Sequence, residues 1–208
     1  MASPPTGTVT FLFTDIEGST KLWEHNPQAM QTALARHDEL LRLAIEERGG
    51  YVFKTVGDAF CAAFPTAPDA LEAALSAQRT LFADEWPQTG PLRVRVALHT
   101  GAAEERDGDY FGPPVNRVAR LLSAAHGGQV LLSLPAQELV RDQLPAGTSL
   151  RDLGEYRLKD LFRPERIFQL LAPELPSEFP PLRTLEAYRN NLPRDKERLD
   201  DIRIGTAR

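Results

Sequence analysis

Apolar residues recur along the chain at two spacings, one typical of strands and the other of helices. Residues 9–14 form a dense apolar run, VTFLFT, which predicts a central strand because so few of its positions tolerate water. It is followed by a tight polar turn over residues 16–20 that opens a helix, with Ser19 or Thr20 expected as its cap. Over residues 27–47 the apolar positions recur at helical spacing, and Gly49 and Gly50 then provide a stop. The chain is therefore expected to begin as a strand followed by a long helix.

Two strand-like runs and a second helix come next. Tyr51–Val56 and Ala59–Phe64 meet at Gly57 and Asp58, and a glycine at such a junction predicts a hairpin. Residues 68–83 have helical spacing, and residues 93–100 alternate between polar and apolar. The order β-α-β-β-α-β is that of a ferredoxin-like unit. We predict an α+β fold with this core, extra C-terminal strands and helices, and the helices on one face of the sheet.

The second half of the chain adds elements to this core and then changes composition. The pattern predicts a polar loop at 104–109, a helix at 115–125, a strand at 129–133, a helix at 135–143 and strands near 156–159 and 166–171. Beyond Ala172 the sequence becomes proline-rich and then charged. We therefore predict one folded domain over residues 1–172, and a linker with a charged tail over residues 173–208.

Composition and charge exclude several classes of protein. The formal net charge of -5 argues against a nucleic-acid surface, which needs clustered Lys and Arg. No apolar run reaches the ~20 residues of a membrane helix, and the N-terminus lacks a signal-peptide pattern. A single cysteine, Cys61, excludes an internal disulfide and is expected to be a buried apolar residue. The sequence predicts a soluble cytoplasmic protein without nucleic-acid or membrane partners.

Two carboxylates are the first candidates for chemistry. Asp15 ends the first strand and Asp58 lies at the hairpin tip, so the predicted topology brings both to one edge of the sheet. Close carboxylates repel each other unless a cation lies between them, and hard oxygen ligands suit Mg²⁺ or Mn²⁺ bound to a polyphosphate. Backbone N–H groups of Gly18, Ser19 and Thr20, at a helix start, can receive phosphate. Together these features predict a site for a nucleoside triphosphate and metal.

Each feature taken alone has a simpler interpretation. An Asp at a strand end or in a hairpin is more often a turn former or a helix cap. The P-loop pattern Gly-x-x-x-x-Gly-Lys-Ser/Thr is absent from the sequence, which disfavours a P-loop NTPase. The argument for a nucleotide site therefore depends on the combination of features and their order.

Four motifs together resemble the class III adenylate and guanylate cyclase catalytic domain, in its bacterial FTDIEGST-type form. They are FLFTDIEGSTKLWE, FKTVGDAFCAAF, ALHTGAA and GDYFGPPVNRVARLLSAAHGGQVLLS, and the resemblance extends from about Thr8 to Ala172. It implies that Asp15 and Asp58 bind two Mg²⁺ or Mn²⁺ ions, with the backbone carbonyl of Ile16 as a further ligand.

The same resemblance implies roles for residues that contact the nucleotide. Lys54 matches the lysine that recognises the adenine ring. Asp109 matches the acidic partner of that lysine, which accepts a hydrogen bond from the exocyclic amine of adenine. Asn116 and Arg120 lie four apart on one helix face and match the residues that orient the ribose and stabilise charge on the transferred phosphorus. Lys159 is a candidate for the terminal phosphates, although its segment departs from the usual Lys-Gly pattern.

The implied activity is conversion of ATP to 3',5'-cyclic AMP and pyrophosphate at the interface of a head-to-tail homodimer. Guanylate cyclases typically carry Glu and Cys at the positions of Lys54 and Asp109, so ATP is preferred here. The alternatives are a guanylate cyclase, a nucleotide-binding regulatory module with weak turnover, and a structural dimerisation module. Pro113 and Pro114, which replace small or polar residues of the family pattern, favour the weaker activity. A regulatory domain or protein acting through the C-terminal tail is a further expected partner.

Overall fold

The computed structural model describes residues 3–184 and 186–188. Its elements in chain order are β1 (Thr8–Ile16), α1 (Ser19–His25), α2 (Pro27–Glu46), β2 (Tyr51–Val56), β3 (Ala59–Phe64), α3 (Ala67–Ala83), β4 (Val94–Ala102), β5 (Glu104–Arg106), β6 (Asp109–Phe111), α4 (Pro113–Ala124), β7 (Val130–Ser133), α5 (Leu134–Val140), β8 (Ser149–Arg157), β9 (Glu165–Leu171) and β10 (Glu186–Tyr188). The mixed α+β class predicted from the sequence is confirmed.

An eight-stranded sheet runs through the described part of the chain in the order β10-β8-β9-β7-β4-β1-β3-β2. Strand β1 lies between β3 and β4 and is antiparallel to both. The four-strand order β4-β1-β3-β2, with α2 and α3 as connections, is the predicted ferredoxin-like core. Beyond it, β7 pairs parallel to β4, and β9 and β8 extend the sheet with antiparallel pairs.

Helices cover both faces of this sheet, so the expectation of helices on one face was wrong. Along β1, successive side chains point to opposite faces. Leu12 packs in a cluster with α2, α3 and α5. Phe11 and Phe13 pack in a second cluster with Val118 and Leu121 of α4. The reason is that seven of the nine positions of β1 are buried, on both of its faces, so each face needs its own cover.

Two short segments differ from the sequence prediction. The polar segment 104–109 is part of a hairpin over residues 104–111, in which β5 pairs with β6, and its turn uses positive φ at Asp107 (52°) and Gly108 (80°). An Asp-Gly pair is a hairpin signal, but strands of three residues are too short to show periodicity. In α1 the cap is Gly18 with φ 75°, and Ser19 is already helical, so the expected serine or threonine cap is not formed.

The segment from 173 to 184, named the strap below, lies against the domain. Leu182 is buried in the α4 cluster, and Leu175 packs against the α2–α3 cluster. Strand β10 pairs with β8. The rest of the predicted tail lies outside the described residues, and the boundary at residue 172 stays a prediction. Among the helices of the described chain, none has the length and apolar character needed to span a membrane.

Candidate active site

Asp15, Ile16 and Asp58 meet at the end of β1 and are named the carboxylate edge. The hairpin of β2 and β3 folds its tip back on β1, where the N–H of Ile16 donates to Asp58 Oδ2 at 2.8 Å. Burial raises the pKa of Asp15, and the neighbouring Asp58 carboxylate raises it further, while the Arg95 guanidinium acts in the opposite direction. The two predicted metal ligands are therefore together, and their charges disfavour each other.

Arg95 is a site residue that the sequence analysis did not identify. It lies on β4 directly opposite Asp15, and its guanidinium forms an ion pair with the Asp15 carboxylate. Its Nε is buried without a hydrogen-bond partner among the described residues. In the sequence Arg95 is one polar position of an alternating strand. Only the cross-strand register shows that it faces Asp15, 80 residues earlier.

The carboxylate edge fits a hard divalent cation. Two carboxylates and a peptide carbonyl are oxygen donors of the kind that Mg²⁺ and Mn²⁺ prefer. Over residues 3–184 and 186–188, no group of three or more His, Cys, Asp or Glu side chains is arranged to hold a metal. A cation bound here would therefore take its remaining oxygen ligands from water or from a nucleotide.

Helix α1 starts immediately beside the carboxylate edge. Gly18 takes the left-handed conformation that an L side chain rarely adopts, and no side chain caps the helix. The N–H of Glu17 donates to the carbonyl of Arg93 at 2.8 Å, which fixes the start of the turn. Ser19 and Thr20, both predicted to receive phosphate, form the first turn of α1.

Lys54 and Asp109 form a direct pair, with Lys54 Nζ 2.6 Å from Asp109 Oδ2. A β-bulge in β2 between Val52 and Lys54 breaks the alternation there. Phe53 packs on the ring of Tyr110 with centroids 4.9 Å apart, which brings β2 and β6 together. The hydrogen bond to Lys54 lowers the pKa of Asp109, and the same bond raises the pKa of Lys54.

Asn116, Arg120 and Lys159 lie on the α4 side of the sheet. Asn116 is exposed, and Arg120 Nη2 is 2.7 Å from Asp160 Oδ2. Lys159 is exposed in the turn after β8, next to Asp160 in the chain. Arg120 thus pairs with Asp160 and not with either carboxylate of the edge. Within the described chain, the predicted residues form separate groups and no single closed site.

The prolines that depart from the family pattern have structural roles. Pro113 is the first residue of α4, a position where the missing N–H is not needed. Pro114 is buried against β4, where a Cβ added at Gly101 would lie 2.7 Å from Pro114 Cγ. The two prolines therefore fix the start of the helix that carries Asn116 and Arg120.

His99 and His126 are both held within the fold. His99 is buried with Nδ1 2.8 Å from Ser133 Oγ, and burial lowers its pKa to about 4. His126 Nε2 lies 3.0 Å from the carbonyl oxygen of Pro181 in the strap. Cys61 is buried as expected, and burial raises the pKa of its thiol to about 11.

Comparison with known proteins points to one family. A family model described as the adenylate and guanylate cyclase catalytic domain matches residues 1–170. An uncharacterized protein of Mycobacterium tuberculosis is 47% identical over 186 residues, covering 88% of this chain and 63% of the relative. An adenylate cyclase of Schizosaccharomyces pombe is 32% identical over 210 residues, covering 79% of this chain and 12% of that protein. The chain therefore spans less than two thirds of the length of these relatives.

Solved structures agree with the sequence comparison. An adenylate cyclase structure from Trypanosoma brucei, described in its monomeric state, superposes with a TM-score of 0.78 and 31% identity, covering 89% of this chain and 99% of that one. The adenylyl cyclase CyaB from P. aeruginosa superposes with a TM-score of 0.70 and 26% identity, covering 86% of this chain and 97% of that one. A guanylate cyclase domain from Catenaria anguillulae in complex with GTP, 17% identical, shares the fold at a TM-score of 0.69.

Proposed function

The chain belongs to the adenylate and guanylate cyclase catalytic domain family, and we propose that it is an adenylate cyclase. The reaction is conversion of ATP to 3',5'-cyclic AMP and pyrophosphate, with residues 1–172 as the catalytic domain. The observation that carries the choice of ATP is the Lys54–Asp109 pair, 2.6 Å apart, which presents a donor and an acceptor side by side. Similarity to fungal proteins named adenylate cyclases supports the same choice.

We propose that Asp15, Asp58 and the Ile16 carbonyl hold two Mg²⁺ or Mn²⁺ ions. When bound, such ions lower the pKa of the ribose 3'-hydroxyl and neutralise the polyphosphate. The residues themselves support this role, since burial and then the neighbouring Asp58 carboxylate raise the pKa of Asp15, and a cation at this edge would favour its charged form. Arg95 supplies one positive charge against the two carboxylates, so the edge keeps a negative charge that a cation can offset.

The remaining predicted residues are assigned to contacts with the nucleotide. The N–H groups of Gly18, Ser19 and Thr20 receive phosphate oxygens, and Lys159 contacts the terminal phosphates. Asn116 orients the ribose. These assignments are supported by the exposure of Lys159 and Asn116 and by the position of the α1 start beside the carboxylate edge.

Arg120 is proposed to stabilise the negative charge that grows on the transferred phosphorus. Its ion pair with Asp160 joins two side chains that are 38% and 59% exposed. Exposed pairs of this kind contribute little, because water competes for both charges. A phosphate can therefore displace Asp160 from Arg120.

A head-to-tail homodimer is proposed to complete the site. In the described chain Arg120 pairs with Asp160, while Asp15 and Asp58 lie at the end of β1, so one subunit does not join the two groups. Two copies related by a twofold axis form two equal sites, each combining the carboxylate edge of one copy with α4 of the other. A monomer is then inactive.

The test is nucleotide turnover by purified protein at several protein concentrations. ATP or GTP is supplied with Mn²⁺ or Mg²⁺, and cyclic AMP and cyclic GMP are quantified by mass spectrometry. We expect cyclic AMP from ATP, with a rate that rises faster than linearly with protein concentration. Cyclic GMP alone would make the chain a guanylate cyclase. ATP binding with no cyclic product would make it a regulatory module.

A further inference from the structure

The strap, residues 173–184, is bound to the domain along its length. Near its start, the carbonyl of Ser177 accepts hydrogen bonds from Arg151 Nη1 at 3.1 Å and Gln169 Nε2 at 2.8 Å. Further along, the ring of Phe179 stacks on His126 with an interplanar angle of 11°. The strap thus crosses from β8 and β9 to the loop that follows α4.

The last part of the strap contacts the loop that follows Asp15. The guanidinium of Arg183 forms an ion pair with the carboxylate of Glu17, which comes directly after Ile16. The Glu17 side chain rests on Gly127, where an added Cβ would lie 2.9 Å from Glu17 Oε2. Glu17 is therefore held between the strap and the loop after α4.

The position of Glu17 determines where the Ile16 carbonyl points. The N–H of Glu17 donates to the carbonyl of Arg93 at 2.8 Å. In a trans peptide the C=O points away from the N–H, so this bond directs the Ile16 carbonyl to the opposite side. The peptide that carries this proposed metal ligand is thus fixed by its own N–H and by the side chain of Glu17.

We propose that the strap is a positioning element for the metal-binding loop, with the Arg183–Glu17 ion pair holding the Ile16 carbonyl in place. This inference rests on the proposed function, because it assigns the carbonyl as a ligand. The Arg183 side chain is 46% exposed, so the pair contributes little to global stability. Its effect is local, on the affinity of the carboxylate edge for divalent cations.

The same residue also contacts the helix that carries Arg120. The backbone N–H of Arg183 donates to the carbonyl of Ala124, the last residue of α4, at 3.0 Å. In the proposed dimer the metal-binding loop serves one site and α4 serves the other. Arg183 therefore links the two sites.

The experiment measures divalent-cation affinity in Arg183→Gln and Arg183→Lys variants of the full chain. Bound Mn²⁺ is followed by electron paramagnetic resonance in the presence of the non-reactive analogue α,β-methylene-ATP. The Mn²⁺ concentration for half-maximal cyclic AMP production is measured in parallel. We expect Arg183→Gln to weaken Mn²⁺ affinity about three- to tenfold, and Arg183→Lys to restore part of the loss. The maximal rate at saturating Mn²⁺ should change less.

Arg48→Gln is the matched control. Arg48 is similarly exposed, at 45%, and its ion pair is with Glu72 of α3, away from the strap and Glu17. We expect its Mn²⁺ affinity to equal that of the unmodified chain. Glu17→Gln should weaken affinity as much as Arg183→Gln, and the double variant should be no weaker than either.

The outcomes separate this inference from the proposed function. An active enzyme whose Mn²⁺ affinity is the same in Arg183→Gln as in the unmodified chain would overturn the positioning role and leave the cyclase activity intact. A chain that makes no cyclic nucleotide but loses Mn²⁺ affinity in Arg183→Gln would overturn the activity and keep the positioning role. Absence of Mn²⁺ binding by the unmodified chain with the analogue would overturn both.

Discussion

The carboxylate edge and the Lys54–Asp109 pair differ in how their charges are balanced. At the edge, two carboxylates lie beside one guanidinium, which pairs with Asp15, and burial raises the pKa of Asp15. In the pair, one ammonium meets one carboxylate at 2.6 Å, and the pKa of each group moves in the direction that favours its charged form. Arg120 resembles the second region, since it has a carboxylate partner of its own.

This difference indicates what each region needs from a ligand. The carboxylate edge has excess negative charge and gains from a cation supplied from outside. Lys54, Asp109 and Arg120 already have partners, and a nucleotide must compete with or add to those contacts. Under the proposed function, the first region would govern metal affinity, and the second would govern which nucleotide reacts and how fast.

The largest effect is expected from removing one charge of the edge. Asp58→Asn keeps an oxygen that can accept the Ile16 N–H but removes a metal ligand charge, so cyclic AMP production should fall at least about a hundredfold. Without divalent ions the same variant should melt at a higher temperature, because the repulsion on Asp15 is gone. Asp142→Asn, at a position 86% exposed, is the control. Normal activity in Asp58→Asn would refute the metal assignment.

Removing Arg120, on the α4 side of the proposed site, should lower the rate of turnover but not the affinity for ATP. Arg120→Ala should reduce kcat by roughly 10²- to 10³-fold with little change in ATP affinity, because the lost contact acts on the transition state. Arg117→Ala, on the same helix and 43% exposed, is the matched control. Steady-state kinetics and ATP binding separate the two effects.

Mixing the two inactive variants tests the shared site. Asp58→Asn and Arg120→Ala each damage a different half, so a heterodimer contains roughly one intact site. Activity should reappear on mixing. If both variants are folded and dimeric and the mixture stays inactive, the site does not lie between subunits.

Changing the Lys54–Asp109 pair should alter nucleotide preference. Lys54→Glu combined with Asp109→Cys should shift the ratio of kcat/KM for ATP over GTP toward GTP by about tenfold or more, because both hydrogen-bonding groups facing the purine change. Competition assays that quantify both cyclic products would measure this ratio. An unchanged preference would show that other residues select the purine.

The smallest effect is the pH dependence of stability from the same pair. The pKa of Asp109 is lowered, so its stabilising contribution is present above the unfolded value of 3.8 and is lost as pH falls through the folded pKa. The pKa of Lys54 is raised, so its contribution is present below 10.5 and is lost as pH rises through its folded pKa. Thermal melts of Asp109→Asn should lie at most about 3 °C lower at pH 7 and converge with the unmodified chain in acid.

Much of the fold could be predicted because local signals agree with the final structure. Helix α2 begins at Pro27 as expected, with Asn26 Oδ1 capping the N–H of Ala29 at 3.1 Å. The β2–β3 hairpin turns at Gly57, which has φ 61°. Helical spacing and glycine positions are local properties, so one sequence reveals them without knowledge of distant contacts.

The missed features depend on contacts between distant parts of the chain. Arg95 faces Asp15 because of the register in which β1 and β4 pair. Helix α4 covers the second face of the sheet because its buried side chains pack on those of β1, about 100 residues earlier in the chain. A period of two tells which residues share a face but not what lies opposite them. The hairpin at residues 104–111 was missed for another reason, because its strands are too short to show a period.

The sequence by itself determined the α+β class, the strand and hairpin positions of Asp15 and Asp58, and the motifs that resemble one family. These follow from residue type and spacing along a continuous segment. The tertiary structure alone decided that Arg95 offsets Asp15, that Arg120 pairs with Asp160, and that residues 173–184 return to hold Glu17. Charge balance at a site depends on through-space distance, and residues 15 and 95, or 17 and 183, become neighbours only when the chain is folded.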